Sequence, residues 1–180
     1  YDIYKHVGMM HPRICYTIHN IKHQGQAGEF ILQAAGLHDV DYYLHYDRLR
    51  DNFNHSAINL IKAGIVYSNF VTTVSPKYAW EVQNSDQNYG LGHTIHIHKG
   101  KFGGILNGID YDVWNPGHDD NIPSHYDIDT INVKYQNKEA LRHRLLLSQE
   151  FKPVICYVGR LDYQKGVNLI NHAIFYALEN

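Results

Sequence analysis

The stretch Val154-Ile155-Cys156-Tyr157-Val158, followed by Gly159-Arg160-Leu161-Asp162-Tyr163-Gln164-Lys165-Gly166, decides the predicted fold. A fully apolar run that stops at turn residues is typical of a central strand in a parallel sheet. In open α/β sheets, ligands bind just beyond the carboxyl ends of the strands. Arg160 and Lys165 therefore lie where a ligand is expected. Their charges, beside the free N–H groups of a helix N-terminus, suit a phosphate or diphosphate, although an ordinary solvated pair at a helix start stays open.

Polar residues also follow two other apolar runs. They are His19-Asn20 after residues 14–18 and Asn107-Gly108 after residues 102–106. Asn and Gly are ordinary turn formers, so an interpretation as simple turns stays open for these exits. His19 is harder to explain in that way, because histidine is not a favoured turn residue.

Composition and charge restrict the class of protein. The chain has 180 residues, of which 44% are hydrophobic and 19% charged, so it is predicted to be globular and soluble. The formal charge is −2 and no run of lysine or arginine occurs, so the sequence gives no sign of a basic surface that would bind nucleic acid or an anionic membrane. Cys15 and Cys156 fall in predicted core strands, which indicates small buried residues and reduced thiols in a cytosol-like compartment.

The order of the patterns predicts two α/β units. In the first unit, the patterns predict a helical face over residues 55–68, a strand at 70–74 and a helix from Pro76 through Val82. A polar connector follows at 114–137. In the second unit, they predict a helix from Asn137 through Leu147, with Leu141, Leu145 and Leu146 on its buried side, and a helix from Val167. The last helix is unfinished at Asn180, so the chain is expected to be part of a longer protein. A cleft between the units is expected to carry His19 on one wall and Arg160 with Lys165 on the other.

Five motifs together resemble the bacterial glycogen synthases and plant starch synthases that use ADP-glucose, which form glycosyltransferase family 5. The motifs are Thr17-Ile18-His19-Asn20 with Gln24-Gly25, Leu60-Ile61-Lys62-Ala63-Gly64-Ile65, Thr73-Val74-Ser75-Pro76-Lys77-Tyr78-Ala79, Gly104-Ile105-Leu106-Asn107-Gly108-Ile109-Asp110 with Trp114-Asn115-Pro116, and Gly159-Arg160-Leu161 with Gln164-Lys165-Gly166-Val167. Further similarity to cyanobacterial synthases and to class III and IV starch synthases comes from the sequences at 42–50 and 171–174.

The resemblance implies a GT-B fold, in which two Rossmann-like domains face each other across a cleft. Residues 1–107 would be the C-terminal part of the first, acceptor-side domain, and residues 108–180 the hinge and the start of the nucleotide-sugar domain. The implied activity is retaining transfer of glucose from ADP-glucose to the non-reducing end of an α-1,4-glucan, glycogen or starch. No metal or other cofactor is expected. Location in the cytoplasm of a bacterium, or in a plastid if the source is a plant or alga, is also implied.

Site residues follow from the motifs one by one. Arg160 and Lys165 would bind the donor diphosphate and stabilise the leaving ADP, and His19 would line the catalytic centre. Asn20, Asn107 and Gly108 would contribute to substrate binding. The family's Lys-x-Gly-Gly loop and Glu-x-x-Gly-Leu motif are absent from these 180 residues, so the chain alone is expected to be inactive.

Other functions stay open at this point. One alternative is a GT-B glucosyltransferase that uses UDP-glucose, and another is a degenerate synthase that acts as a glucan-binding scaffold. A dinucleotide oxidoreductase is disfavoured because no Gly-x-Gly-x-x-Gly follows a strand.

The remaining polar and aromatic clusters are ambiguous. His93, His96 and His98 suggest a metal site, but no cysteine or carboxylate at ligand spacing supports it, and the segment is predicted to be a loop. The tyrosines at positions 42, 43 and 46 could stack on sugars or cover the edge of the core. The pairs Asp47-Arg48 and Arg50-Asp51 are interpreted as surface ion pairs.

Overall fold

The computed structural model describes residues 4–8 and 11–179, which divide into two compact units. The first unit ends at Gly108 and the second begins at Ile109, one residue from the predicted domain boundary. The assignment of the units to two Rossmann-like domains stays a prediction. None of the helices within the described residues is long and apolar enough to cross a membrane.

The first unit alternates strands and helices. Its elements in chain order are β1 (Cys15–Ile18), β2 (Gln26–Gly28), α1 (Phe30–Ala34), α2 (Val40–Tyr43), β3 (Ala57–Asn59), α3 (Leu60–Tyr67), β4 (Phe70–Thr73), α4 (Pro76–Asn84), α5 (Gly92–Ile97) and β5 (Phe102–Gly104). Short 3-10 helices lie at Tyr4–Val7, Asp86–Asn88 and Lys99–Lys101.

Strands β1, β4 and β5 form a parallel sheet in that order. Ile18 pairs with Thr73, and Thr73 pairs with Gly104, so the three strands end at the same edge of the sheet. The central strand β4 is rich in β-branched residues, which suit a pleated and buried surface. The predicted strands at 14–18, 70–74 and 102–106 are confirmed, each with one or two residues fewer than expected.

Helices α3 and α4 begin at side-chain caps. The Oδ1 atom of Asn59 accepts a hydrogen bond from Lys62 N at 2.9 Å, and Ser75 Oγ accepts one from Tyr78 N at 3.0 Å. Pro76 occupies the first turn of α4, as predicted. Helix α3 starts later than the predicted residue 55, because residues 57–59 form β3 and pair with β2 in antiparallel fashion.

Both helices bury apolar side chains against the parallel sheet. The main core consists of Ile18, Ile21, Ile61, Ile65, Val71, Ala79, Val82, Leu91, Ile95 and Phe102. A smaller cluster joins Leu32 and Leu49, from the segment between β2 and β3, to Ile58 of β3. Burial of these side chains fixes the sheet, and thereby the edge at which its strands end.

Strand β5 passes very close to the beginning of α4. A Cβ atom added to Gly104 would lie 2.1 Å from the carbonyl oxygen of Ser75 and 2.5 Å from the nitrogen of Pro76. Both neighbours are main-chain atoms, which cannot rotate away. Only glycine fits at this position.

The histidine-rich segment is helical, and the predicted loop is wrong. Residues Gly92–Ile97 form α5, because Thr94 and Ile95 are buried and Ile95 joins the main core. In this helical segment His96 and His98, two positions apart, project in different directions, whereas alternate residues of a strand would share one face. Across residues 4–8 and 11–179, no three His, Cys, Asp or Glu side chains form a group that could hold a metal ion.

The second unit contains α6 (Lys134–Arg144), α7 (Val167–Glu179) and 3-10 helices at Ile131–Val133 and Tyr163–Lys165. The predicted central strand at 154–158 is not formed, and Ile155 is 86% exposed. A strand in a parallel sheet takes its hydrogen bonds from neighbouring strands. No other strand is present among residues 109–179 to supply them.

Helix α6 differs from its predicted form. It begins at Lys134, so Asn137 lies inside the helix, where its side chain accepts from Ser124 N and donates to Ser124 O. The side chain that α6 buries is Arg142, whose guanidinium donates to the carbonyl oxygens of Ser148 and Lys152. The prediction of a buried leucine face is wrong for the three positions Leu141, Leu145 and Leu146, which are exposed.

Both cysteines are exposed, contrary to the predicted burial. Cys15 lies on β1, which is an outer strand of the described sheet. Cys156 lies in the 154–158 segment that forms no strand. The apolar runs around the two cysteines predicted their environment incorrectly, because burial depends on which neighbouring element covers a strand.

Candidate functional site

The first group of predicted site residues follows the carboxyl end of β1. His19 is exposed and Asn20 is half-buried. The Oδ1 atom of Asn20 accepts from Lys22 N at 3.0 Å, and its carbonyl oxygen accepts from His23 N at 3.3 Å. Asn20 therefore closes a turn just beyond the sheet, and the His19 ring remains accessible to a ligand.

Asn107 and Gly108 follow β5 at the same edge of the sheet. The backbone of Ile105 continues the pairing with β4 by donating to Thr73 O at 2.9 Å. Beyond it the chain leaves the sheet, and both Asn107 and Gly108 are exposed. Their position beyond a strand end agrees with the rule for ligand sites in open α/β sheets.

An open cavity lies on the loop that leaves β1. Its volume is about 540 Å³, and its lining residues are Lys22, His23, Gln24, Gly25, Gln26 and Tyr89. Glutamine, lysine and histidine side chains offer hydrogen-bond donors and acceptors, and Tyr89 offers an aromatic ring. This combination suits a polar ligand with apolar faces, such as a sugar.

Beneath this loop, Asp51 forms the centre of a buried hydrogen-bond network. Its side chain accepts from the amides of Gln26 and Asn59, each at 2.8 Å, and from the backbone nitrogens of Phe53 and Asn54 at 3.0 and 2.8 Å. Only 1% of Asp51 is exposed. The predicted surface ion pair with Arg50 is therefore wrong.

A second buried polar residue is Lys62 on α3, of which 2% is exposed. Its ammonium donates to Tyr46 O at 2.7 Å, Arg50 O at 2.8 Å and Asn52 Oδ1 at 2.6 Å. Burial lowers the pKa of Lys62, an effect that the nearby carboxylate of Asp51 partly offsets. The three acceptors match the three N–H donors of the ammonium, and these bonds connect α3 to the segment before β3.

The other predicted surface pair is also different in the structure. The guanidinium of Arg48 lies 3.5 Å from the centroid of the Tyr42 ring and donates to Tyr42 O at 2.6 Å. Tyr42 in turn makes an edge-on contact with Tyr43 at 5.0 Å between ring centroids. This tyrosine cluster covers the edge of the smaller core, and Arg48 stacks on it instead of pairing with Asp47.

The protonation of Asp51 gives a prediction about acid stability. Burial alone would raise the pKa of the Asp51 carboxyl, but the hydrogen bonds from Asn54, Asn59, Gln26 and Phe53 lower it to about 2. Because the folded-state pKa lies below the unfolded value of about 3.9, Asp51 contributes roughly 2 kcal/mol of stability above pH 4. This contribution is lost as the pH falls toward 2, about half of it by pH 3.

Urea unfolding at several pH values measures this effect. The stability difference between the wild-type protein and Asp51→Asn is expected to be largest above pH 5 and to narrow between pH 4 and pH 2. A difference that is constant across this range would show that Asp51 is not ionised with a lowered pKa in the folded protein.

The second group of predicted site residues precedes α7. The carbonyl oxygen of Arg160 accepts from Tyr157 Oη at 2.6 Å and from Asp162 N at 2.9 Å, which shapes the turn after the apolar run. Asp162 caps the short helix Tyr163–Lys165 by accepting from Gln164 N at 2.9 Å. Gly166 follows with a φ of 71°, a conformation that favours glycine.

Both cations in this loop are exposed and available to an anion. Neither the Arg160 guanidinium nor the Lys165 ammonium forms a salt bridge within the described part of the chain. Lys165 lies two residues before α7, whose first backbone N–H groups add partial positive charge. The loop can therefore bind a diphosphate through two side-chain cations and a helix N-terminus.

The predicted site residues thus fall into two groups, one in each unit. His19, Asn20, Asn107 and Gly108 lie in the first unit, and Arg160 and Lys165 lie in the second. The network around Asp51, Asn59 and Lys62 is not among the residues predicted from the sequence. The signal that could have indicated it was an asparagine directly before the helical pattern that contains Lys62.

Comparison with known proteins identifies the family. The family model for the starch synthase catalytic domain matches residues 1–97. The chain is 60% identical over 178 residues to glycogen synthase 2 of Methylococcus capsulatus, covering 99% of this chain and 37% of that protein. It is 59% identical over 179 residues to a probable glycogen synthase 2 of Synechocystis, covering 99% and 36%.

A solved structure agrees with the sequence comparison. The catalytic domain of starch synthase IV from Arabidopsis thaliana, bound to ADP and acarbose, matches with a TM-score of 0.90 and 42% identity, over 99% of this chain and 36% of that chain. The fold is that of part of a GT-B glycosyltransferase. The chain belongs to the starch synthase catalytic domain family, and it spans a little over a third of the length of these relatives.

Proposed function

We propose that the protein carrying this chain is a glycogen or starch synthase, which transfers glucose from ADP-glucose to the non-reducing end of an α-1,4-glucan with retention of the anomeric configuration. The observation that carries the proposal is the match at a TM-score of 0.90 to a starch synthase bound to ADP and acarbose. The names of the bacterial relatives support the same reaction.

The diphosphate of the donor is assigned to the second unit. When the bond between the glucosyl carbon and the diphosphate breaks, its electron pair moves to the leaving oxygen. Negative charge then grows on ADP, and positive character grows on the sugar ring. Arg160 can bind two phosphate oxygens with its planar guanidinium, and Lys165 adds a compact charge beside them. Fixed cations of this kind stabilise the transition state more than the ground state.

The glucan and the transferred glucose are assigned to the first unit. His19 would lie at the catalytic centre, because its ring is exposed where β1 ends. Asn20, Asn107 and Gly108 would bind sugar hydroxyls through side-chain amides and backbone groups at the same edge of the sheet. No metal ion is assigned a role, since the two cations and a helix N-terminus supply the positive charge.

The expected partners are the nucleotide sugar and an α-1,4-glucan, without nucleic acid or a membrane. The two exposed cations of the loop before α7 and the polar and aromatic lining of the cavity after β1 support this pair of ligands. The two glycogen synthases named above are bacterial proteins, and we propose a location in the bacterial cytoplasm.

Nucleotide choice tests the proposal. In the full-length protein, the initial rate with ADP-glucose is expected to exceed the rate with UDP-glucose by at least about tenfold, which corresponds to roughly 1.4 kcal/mol. The measurement is incorporation of labelled glucose into glycogen at equal donor concentrations. Equal rates would favour a different GT-B glucosyltransferase, and no incorporation with either donor would favour a glucan-binding scaffold.

A further inference from the structure

The cavity beyond β1 lies on the same loop as His19 and Asn20. Its lining includes Gln24, Gln26 and Tyr89, none of which follows a strand end directly. The position of these side chains is therefore not determined by the parallel sheet. Gln26 begins β2 and is paired with Asn59 of β3, and the side chains of the cavity are held by further hydrogen bonds.

Gln24 is held at both ends of its side-chain amide. Its Oε1 atom accepts from Asn59 Nδ2 at 2.6 Å, and its Nε2 atom donates to Tyr89 O at 2.9 Å. Its backbone oxygen accepts from Ile61 N at 3.2 Å. Gln24 therefore connects the loop after β1 to the beginning of α3 and to the turn at Tyr89.

Asn59 in turn depends on Asp51. Its Nδ2 atom donates to Asp51 Oδ2 at 2.8 Å in addition to Gln24, and Asn59 has no exposed surface. The same Oδ2 atom accepts from Gln26 Nε2 at 2.8 Å. One carboxylate oxygen thus holds Gln26 directly and Gln24 through Asn59.

The other carboxylate oxygen has a separate structural role. Asp51 Oδ1 accepts from the backbone nitrogens of Phe53 and Asn54, and these bonds close a turn before β3. The roles of the two oxygens can therefore be tested separately by substitution. An asparagine at position 51 can keep the turn with its oxygen, but its NH₂ group would face two donors where the carboxylate accepts.

The turn at Tyr89 is held from a second direction. Asn52 Nδ2 donates to Gly90 O at 2.6 Å, and Asn52 Oδ1 accepts from the buried ammonium of Lys62 at 2.6 Å. Tyr89 itself adopts a φ of 49°, which is uncommon for residues other than glycine. The segment that contains Asp51 therefore fixes both sides of the cavity.

We propose that Asp51 is a positioning residue of the glucan-transfer site, which holds Gln24 and Gln26 at the cavity and so sets the course of the loop that begins at His19. This inference rests on the proposed function. Asp51 is 1% exposed, and each of its carboxylate oxygens accepts two hydrogen bonds from protein groups, so it acts on the site without direct contact with substrate. Its effect is transmitted through Asn59, Gln24 and Gln26.

The test is Asp51→Asn in the full-length protein. Its kcat/KM for the glucan acceptor is expected to fall by at least about tenfold, while KM for ADP-glucose stays within about twofold, because Arg160 and Lys165 bind the diphosphate. Amide hydrogen exchange at residues 20–26 is expected to become faster by at least about tenfold than in the wild-type protein.

Lys101→Met is the matched control for lost stability. The Lys101 ammonium donates to the carbonyl oxygens of Val66 and Ser68 at 2.9 and 2.7 Å, and it lies before β5, at the opposite edge of the sheet from the cavity. Its removal leaves two carbonyls without their donor and should lower the melting temperature. Acceptor kinetics and exchange at residues 20–26 should remain unchanged.

A second variant covers the case in which Asp51→Asn does not fold. Asn59→Ser can still cap α3, but its short side chain cannot reach Gln24 and Asp51 together. It is expected to produce the same change in acceptor kcat/KM and in exchange. If both residues act through one chain of hydrogen bonds, kcat/KM for the glucan acceptor in the double variant should lie within about twofold of the value for the less active single variant.

Two outcomes would overturn the inference. One is wild-type exchange and wild-type acceptor kinetics in Asn59→Ser or a folded Asp51→Asn. The other is a change in acceptor kinetics and in exchange that is equally large in Lys101→Met, when its melting temperature is comparable to that of the Asp51 or Asn59 variant. Absence of glucose transfer by the wild-type protein would instead contradict the proposed function, and the exchange comparison would still decide whether Asp51 holds the loop.

Discussion

Lys165→Ala in the full-length protein is expected to lower kcat by about 10²–10³, the scale seen when one preorganised electrostatic partner is removed. Its ammonium is exposed and forms no salt bridge among the described residues, so the folded structure does not depend on it. Charge that develops on the departing diphosphate would lose its nearest compact cation. Steady-state kinetics with ADP-glucose and glycogen measure the effect.

Lys152→Ala is the control for the loss of a positive charge in the second unit. Lys152 is an exposed lysine that pairs with Glu150, and such surface pairs contribute little to stability. Its kcat and melting temperature are expected to be close to wild type. If Lys165→Ala also kept near-wild-type kcat, Lys165 would have no place in the mechanism.

Gly104→Ala is expected to destabilise the protein by about 3 kcal/mol, at the upper end of the usual range for overpacking. The added methyl group would lie 2.1 Å from Ser75 O and 2.5 Å from Pro76 N. Relief of these contacts requires β5 and the beginning of α4 to separate, which disturbs the sheet edge where the proposed ligands bind. Urea unfolding at neutral pH provides the measurement.

Gly100→Ala provides the comparison for Gly104→Ala. A Cβ atom at Gly100 would have no neighbour within 4 Å, so its effect should stay within about 0.5 kcal/mol. Equal stability of the two variants would show that α4 and β5 are not packed as closely as described.

The parallel sheet of the first unit could be predicted because its signals are local. Each strand is a short apolar or β-branched run, and α4 begins at Ser75-Pro76, which caps a helix and fits its first turn. The pair β2 and β3 was missed, since three-residue strands carry almost no periodic pattern. The beginning of α3 was placed too early for the same reason.

In the second unit, apolar patterning was a poor guide. The pattern predicted buried residues in the run at 154–158 and at Leu141, Leu145 and Leu146, yet Leu146 and Ile155 are largely exposed. Patterning reports a tendency to be buried, and another element must be present to cover it. Such cover comes from residues distant in sequence, which local spacing does not describe.

In the candidate site, too, some features follow from local sequence and others depend on residues distant in the chain. The position of His19 directly after β1, and of Asn107 three residues beyond β5, agrees with the rule for open sheets. The buried network joins residues that are far apart in sequence: Asn59 bonds to Asp51, 8 positions away, and to Gln24, 35 positions away. Asp51 was interpreted as half of a surface ion pair, because nothing in its neighbours along the chain indicates burial.

Asn59 limits how this part of the molecule can change by mutation. Its oxygen begins α3, and its NH₂ group serves Gln24 and Asp51 at once. Aspartate would keep the cap but has no donor, serine is too short to span both partners, and glutamine caps helices poorly. Of the twenty side chains, only asparagine meets all three demands, so exchange at this position requires at least one compensating replacement elsewhere in the network.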